Sequence, residues 1–272
     1  LTEFHFSSDQ ADAYDAATRL LKSAGVDLDN DLLVPPKDSK KSVMALVGKA
    51  GSGKTLLLAK LYKALAEAGV DIILGDYEGK RRRDKRSLAI LAPTNKAASV
   101  LRMRGVPATT IHRILYTPVY DPEYEKIAEW LAGSSDKPTV KGLAEEALKR
   151  AHDFFQTHKS MAGAMAAAGL RGSDFITGWK RREEPLDIAF LDEASMLDDR
   201  QFEDLQQIFS TLILFGDPAQ LAPVNQSGAM VFDGMKPTQV ATLNRVHRQS
   251  EDNPILDLAH ALGDPELGFE DF

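Results

Sequence analysis

At 272 residues, 43% hydrophobic and 27% charged, the chain can bury a sizeable core and has the composition of an ordinary globular protein. Its zero cysteines exclude a disulfide framework, thiolate metal sites and cysteine nucleophiles, and a reducing cytoplasm is the expected compartment. A net charge of −7 argues against wholesale non-specific nucleic-acid binding while leaving room for a local groove. No apolar run approaches the ~20 residues of a membrane span, and no signal-peptide pattern opens the chain. The first residue is Leu1 rather than Met, which points to a fragment or a processed chain.

In chain order, residues 7–25 predict an amphipathic helix capped by Ser7 or Ser8 and ended by Gly25, with Ala11, Tyr14, Ala17, Leu20 and Leu21 on one face. A polar connector with Pro35-Pro36 leads to a buried strand over 43–47. A glycine-rich turn and a helix over 54–68 follow, then a short apolar stretch over 70–74. The basic run GKRRRDKR within 75–87 could touch phosphates, although a solvated loop is the favoured reading. A second strand over 88–92 precedes the turn and helix of PTNKAASVLRM, and in TTIHRIL Thr109 or Thr110 caps another short helix. From about 116 to 185 the strand–helix rhythm breaks. Asp121-Pro122 starts a helix to Trp130, a second helix spans 140–157, and the Ala/Met-rich SMAGAMAAAGLRG reads as packing rather than a cofactor site. The rhythm resumes with a strand over 186–191, a helix capped by Asp198 or Asp199, a strand over 212–215 and another over 239–243. A last helix is capped by Asn253, with Pro254 in its first turn and Gly263 past its end.

Buried strands each followed by a helix specify an α/β fold, a parallel sheet with helices on both faces, interrupted by a mainly helical insertion. The expected organisation is a connector segment over 1–42, a first part of the sheet domain over 43–115, an inserted subdomain over 116–185 and the remainder over 186–272. Ligands of such sheets sit beyond the carboxyl ends of the strands.

The stretch VMALVGKAGSGKT carries Gly48, Gly53, Lys54 and Thr55 at the fixed positions of the phosphate-binding P-loop. Glycines let consecutive N–H groups turn inward around an anion, and the following helix adds its N-terminal donors. Gly48, Ala50, Gly51, Ser52, Gly53, Lys54, Thr55 and Leu56 are therefore the candidate nucleotide-binding residues. Lys54 would meet the β- and γ-phosphates of ATP, and the Thr55 hydroxyl would ligate Mg²⁺. The strand over 186–191 runs into Asp192-Glu193. Asp192 would hold Mg²⁺, and Glu193 would orient and deprotonate the attacking water. In GDPAQLAP, Asp217 can cap a local turn, while Gln220 can contact the γ-phosphate or the water.

As a series these stretches resemble the first motor domain of superfamily 1 DNA helicases. GKAGSGKT, LAPTNKAA, TTIHRIL, LDEAS, LFGDPAQLAPV and LNRVHRQ look like six of that family's motifs in order, spanning nearly the whole chain. TIHRIL with GDPAQL points to the 5′-to-3′ branch, similar to the helicase α-subunit of exonuclease V. The resemblance implies a RecA-like P-loop fold and an adenine-reading role for Gln10. It implies single-strand DNA contacts by Pro93, Thr94, Asn95, Lys96, Thr110 and His112, coupling of γ-phosphate to DNA by Gln220, and charge stabilisation in the transition state by Arg248, with Arg245 close by. Nothing in the chain matches the motifs of the family's second motor domain. The insertion stands where relatives carry a strand-separating hairpin, and 174–183 could hold one with Trp179 at its tip. The implied activity is ATP-dependent translocation on DNA, alone or with other subunits of a DNA-processing complex. The alternative is a nucleotide-controlled binding module; a pure switch has no need of Glu193, Gln220 and Arg248. A small-molecule kinase is disfavoured by the Asp-Glu pair, and a nuclease by the lack of a further carboxylate cluster.

Overall fold

The structure, a computed structural model, describes residues 6–30, 32–34, 41–74, 86–220 and 230–244. Pro35-Pro36, residues 80–85 of the basic run, the LAP end of GDPAQLAP, Arg245, Arg248 and the helix expected from Asn253 lie outside the described residues.

Helix α1 (Ser8–Ser23) starts at Ser7, whose N–H donates to Gln10 Oε1 at 3.1 Å, and Gly25 at φ +90° turns the chain out of it. A short antiparallel pair follows, β1 (Val26–Asp27) and β2 (Leu32–Leu33). Then come β3 (Ser42–Gly48), α2 (Lys54–Glu67), β4 (Asp71–Ile72), β5 (Ser87–Ala92), α3 (Asn95–Met103) and β6 (Ala108–Thr110). After α4 (Ile111–Leu115) and β7 (Tyr116–Tyr120), the chain forms α5 (Pro122–Leu131), α6 (Glu145–His158), α7 (Met161–Ala167), α8 (Gly172–Phe175) and β8 (Ile176–Arg181). It continues with β9 (Leu186–Leu191), a 3₁₀ turn at Ala194–Met196, α9 (Asp199–Ile208), β10 (Phe209–Gly216), a second 3₁₀ turn at Pro237–Gln239 and β11 (Val240–Leu243). Among the described residues no helix is long and apolar enough to cross a membrane.

Strands β11, β3, β10, β9 and β5 lie side by side in that order, all parallel, and β4 and β6 both pair with the remaining edge of β5. Such a sheet must be covered on both faces. Met44, Leu46, Ile90, Phe190 and Phe215 pack in one cluster with Leu57, Leu61 and Leu65 of α2 and with Leu21 of α1. Their neighbours of opposite parity, among them Ala45, Leu91, Leu191 and Leu214, are buried as well. The fold is thus a doubly covered parallel α/β sheet.

A buried ion pair fastens the amino ends of the central strands. Asp187 Oδ2 accepts from Ser87 N–H at 2.9 Å and from Ser87 Oγ at 3.0 Å, while Arg86 Nη1 stands 3.5 Å from Asp187 Oδ1. Arg86 Nε donates to Val34 O at 2.9 Å, and Nη2 donates to Val34 O and Ala24 O. The sequence reading placed Arg86 in a solvated basic loop. It is instead 4% exposed, because its planar fork can satisfy a carboxylate and two carbonyls at once.

The chain divides into two compact units, one of Leu1–Ile73, Arg82–Ile111 and Glu184–Phe272, the other of Leu74–Arg81 and His112–Glu183. In the second unit Asp121 caps α5 by accepting from Glu123 N–H at 2.9 Å, with Pro122 in its first turn. Ile127, Leu131, Leu148, Ala151, Met161, Met165 and Phe175 form its core, so the Ala/Met-rich segment serves packing. The helix expected over 140–157 begins only at Glu145, since Gly142 takes φ +84° and Val140 is buried in the preceding turn. No hairpin forms over 174–183. Ile176–Arg181 is a single strand paired antiparallel with Tyr116–Tyr120, which sets Trp179 opposite Pro118 in mid-strand rather than at a tip.

Replacing one member of a buried ion pair strands the other. Asp187→Ala is expected to lower the unfolding free energy by about 3–5 kcal/mol, read as a fall in the urea midpoint. A midpoint equal to that of the parent would show that the pair bears no weight.

Candidate nucleotide site

The loop after β3 is shaped by steric necessity. A Cβ on Gly48 would sit 2.5 Å from Ser52 Oγ and 2.8 Å from Leu243 O, and Gly51 and Gly53 adopt φ of +81° and +88°. The first helical bond of α2 runs from Leu57 N–H to Gly53 O at 3.0 Å, which leaves the N–H groups of Lys54, Thr55 and Leu56 ahead of the helical ladder. Those donors and the helix dipole make the loop an anion cradle. Ala50 and Gly51 are exposed on it, and Thr55, second residue of α2, is half-buried. The Leu56 side chain is buried in the core, so this residue can offer a ligand only its backbone. Ser52 Oγ is buried and has no hydrogen-bond partner among the described residues.

Lys54 arches back over the loop, Nζ donating to Gly48 O at 2.5 Å and to Lys49 O at 3.0 Å. Desolvation lowers its pKa, while the carboxylates of Asp217 and Asp192 act in the opposite direction. The ammonium thus lies within the field of both acids.

Those acids arrive by sheet register. Val47 pairs with Gly216 and Leu191 with Leu214, so Gly48, Asp217 and Asp192 leave the same edge on neighbouring strands. Asp192 N–H donates to Leu91 O at 2.9 Å, and Asp192 Oδ1 accepts from Glu193 N–H at 3.0 Å. Burial pushes its pKa up, with a smaller contribution in the same direction from the Glu193 charge. Glu193 has φ +52° and ψ +40°, a left-handed conformation that costs a non-glycine residue about 1–3 kcal/mol. Immediately beyond, the buried Ser195 donates its hydroxyl to Gln220 Oε1 at 2.5 Å. Gln220 N–H in turn donates to Asp217 O at 3.2 Å, and Asp217 Oδ1 accepts from Ala219 N–H at 2.9 Å. Ser195 was no candidate in the sequence, although LDEAS contains it. A serine two residues past an acidic pair gives no hint that its partner lies 25 positions on.

No group of three or more His, Asp or Glu that could hold a metal occurs among the described residues. A divalent cation here would take one carboxylate, Asp192, and one hydroxyl, Thr55, from the protein. That sparse donor set suits Mg²⁺, which binds through one or two protein oxygens and completes its shell with phosphate and water.

Gln10 lies against this loop, but not as an open reader of a base. It is 2% exposed; Nε2 donates to Ser52 O at 3.0 Å and Oε1 accepts from Ser7 N–H. Pro93, Thr94, Asn95 and Lys96 follow the carboxyl end of β5, beside Thr110 at the end of β6, whose register partner is Ala92. Thr94, Asn95 and Lys96 are exposed, and Thr94 Oγ1 caps α3 by accepting from Ala97 N–H at 3.1 Å. Thr109 and Thr110, either of which was expected to cap a short helix, end β6, and Thr110 directly precedes α4, with its side chain buried. His112 belongs to the second unit, where its ring packs 4.9 Å from that of Tyr116.

A glycine loop between a buried parallel strand and a helix, with acidic strand ends one and two strands away, defines a RecA-like P-loop NTPase fold. The chain belongs to the AAA domain family, whose model matches residues 37–270. No curated protein matches it. Among solved structures it is similar to the Pif1 helicase from Candida albicans, with 17% identity and a TM-score of 0.41 over 93% of this chain and 43% of that one. It is also similar to Pif1 from Bacteroides in complex with ADP-AlF3 and single-stranded DNA, at 14% identity and a TM-score of 0.38 over 92% and 44%. A structure of Bacteroides Pif1 bound to single-stranded DNA gives 14% and 0.40 over 96% and 46%. The chain spans less than half the length of each of these structures, and at such identities and scores no role passes from them to its residues.

Two substitutions probe the geometry. The raised pKa of Asp192 means that the folded chain holds this proton more tightly than the unfolded chain, so the group's contribution to stability falls as pH rises through the carboxylate range. Asp192→Asn is therefore expected to raise Tm at neutral pH in EDTA, with the gain vanishing in acid; a lower Tm at neutral pH contradicts the burial cost. Ser195→Ala leaves Gln220 without its partner. Nucleotide affinity is expected to hold within about twofold while turnover drops by roughly tenfold, the scale of one lost hydrogen bond.

Proposed function

We propose that this chain is the first motor domain of a superfamily 1 DNA helicase of the 5′-to-3′ branch, with ATP and Mg²⁺ at the β3 loop and single-stranded DNA as its track. The observation that carries the reading is the convergence of Lys54, the Asp192-Glu193 pair and the Ser195–Gln220 bond at neighbouring strand ends. Membership of the AAA domain family supports the nucleotide part, and the order of the six motifs supports the helicase part.

In this reading the N–H groups from Ala50 to Leu56 hold the phosphates, with Lys54 on the β- and γ-phosphates in place of its present carbonyl partners. Thr55 and Asp192 would hold Mg²⁺, which when bound would supply positive charge to the phosphoryl oxygens. Glu193, whose backbone is left-handed, orients the water and takes its proton. Gln220 reports the γ-phosphate, and Ser195 fixes the amide that does so. Gln10 braces the loop through Ser52 O, so reading an adenine would require it to give up that bond. Arg248 would supply charge to the transition state. Pro93–Lys96, Thr110 and His112 would meet the DNA backbone, with residues 116–185 as an accessory insertion. Other subunits of a DNA-processing complex are candidate partners.

Two motor domains flank the nucleotide in such an engine, so this chain alone is expected to bind ATP and turn it over slowly. Joining a second motor domain should add stimulation by single-stranded DNA. ATP hydrolysis with and without oligonucleotide, beside nucleotide binding, tests this. Glu193→Gln should keep binding and lose turnover by roughly 10²–10⁴-fold, whereas Lys54→Ala should lose both. Turnover by Lys54→Ala equal to that of the parent would falsify the site, and brisk hydrolysis indifferent to DNA would overturn the helicase assignment.

A further inference from the structure

Reading a nucleobase takes a polar side chain whose donors and acceptors stand open until the base arrives. Gln10 is placed otherwise. It shares the buried face of α1 with Ala13, Ala17 and Leu21, at spacings of three and four, so the helix carries its amide into the protein. A primary amide left unpaired there would be costly, and both of its ends are paired. Oε1 accepts from Ser7 N–H at 3.1 Å, and Nε2 donates to Ser52 O at 3.0 Å. Those partners also fix which way the amide faces, because turned over it would set Nε2 against an N–H and Oε1 against a carbonyl. A Cβ on Gly53 would collide with Nε2, so the amide lies directly against the bend of the phosphate loop.

The polar groups around it are closed on one another. Ser7 Oγ donates to Asp9 Oδ1 at 2.5 Å, and the same oxygen accepts from Gln10 N–H at 3.1 Å. Asp9 Oδ2 accepts from Asn244 N–H at 2.7 Å. An adenine would offer Gln10 its N6 amino group and N7. To meet them, the amide would have to break both of its bonds and leave Ser7 N–H and Ser52 O behind. Two hydrogen bonds would be exchanged for two, which gives adenine no net gain over another purine.

We infer that the nucleotide site takes purine nucleoside triphosphates without regard to the edge of the base, and that Gln10 is a positioning residue for the phosphate loop. Ser52 stands between Gly51 and Gly53, both at positive φ, and the Gln10 bond fastens the one residue of that bend which is not glycine. A brace on the loop acts alike on every ligand that carries the same phosphates. The inference rests on the proposed nucleotide site and names its substrate class: the triphosphate is selected and the base is not.

The test is calorimetric titration of the full chain, with Mg²⁺, by ATP, by inosine triphosphate and by inorganic tripolyphosphate. Inosine triphosphate keeps the purine ring and replaces the N6 donor with an acceptor, so it isolates the edge. The parent should bind ATP and inosine triphosphate within about twofold of each other. Gln10→Met keeps the bulk of the side chain and removes both bonds. It should weaken all three ligands by one common factor of about three- to tenfold, the scale of one lost hydrogen bond. A side chain that served only global stability would lower the unfolding midpoint and leave the three affinities of the folded protein at parent values, which overturns the inference. A preference of tenfold or more for ATP over inosine triphosphate also overturns it, as does a Gln10→Met loss confined to ATP. In those cases the nucleotide site stands and this inference alone falls. If the parent binds none of the three ligands, the nucleotide site itself falls.

Discussion

In a parallel sheet all strands end on one edge, and the register between neighbours decides which side chains leave that edge together. Here the pairings of Val47 with Gly216 and of Leu191 with Leu214 set the order of events. The glycine loop, the Asp217 turn and the Asp192-Glu193 pair emerge on three adjacent strands, although Gly48 and Asp217 stand 169 positions apart in the chain. Each strand is buried on both faces, so a slip in any one would cost the packing of both layers. The chemistry at the edge is therefore held by hydrophobic burial away from it, and by Arg86 and Asp187 locking the opposite edge.

The same arrangement tolerates local cost. Glu193 sits in a left-handed backbone, burial disfavours the charged form of Asp192, and Ser52 Oγ is buried without a described partner. Unfavourable terms gather where β3 and β9 end, while α2 and the strands beneath supply the compensating burial. Such a distribution is expected when a site must bind anions and cations rather than maximise stability.

What was legible in the sequence follows the reach of each interaction. The P-loop spacing, the Asp121-Pro122 and Asp198 helix starts and the buried strands depend on neighbours within a few residues, and they were readable from pattern. Features made by distant partners were not. Arg86 looked like one more solvated cation because Val34 and Asp187 are remote in sequence. Trp179 looked like a hairpin tip because its true partner strand lies on the far side of four helices. Leu56 carried the position of a phosphate donor, and its side chain proves to be part of the core. Gln10 was singled out by resemblance, yet its bond to Ser52 O could not be inferred from either segment alone.

Helix α1 makes two polar contacts from adjacent residues. Gln10 holds the P-loop backbone at Ser52 O, and Asp9 Oδ2 accepts from Asn244 N–H at 2.7 Å, just past the end of β11. One turn of helix therefore bridges the phosphate loop and the point where the chain leaves the sheet. By thermodynamic reciprocity, if a ligand on the loop tightened the hold of this helix on that exit, whatever tightened the exit would favour the ligand by the same factor. The first helix is in effect a clamp on both, seated by the buried face of Ala13, Ala17 and Leu21.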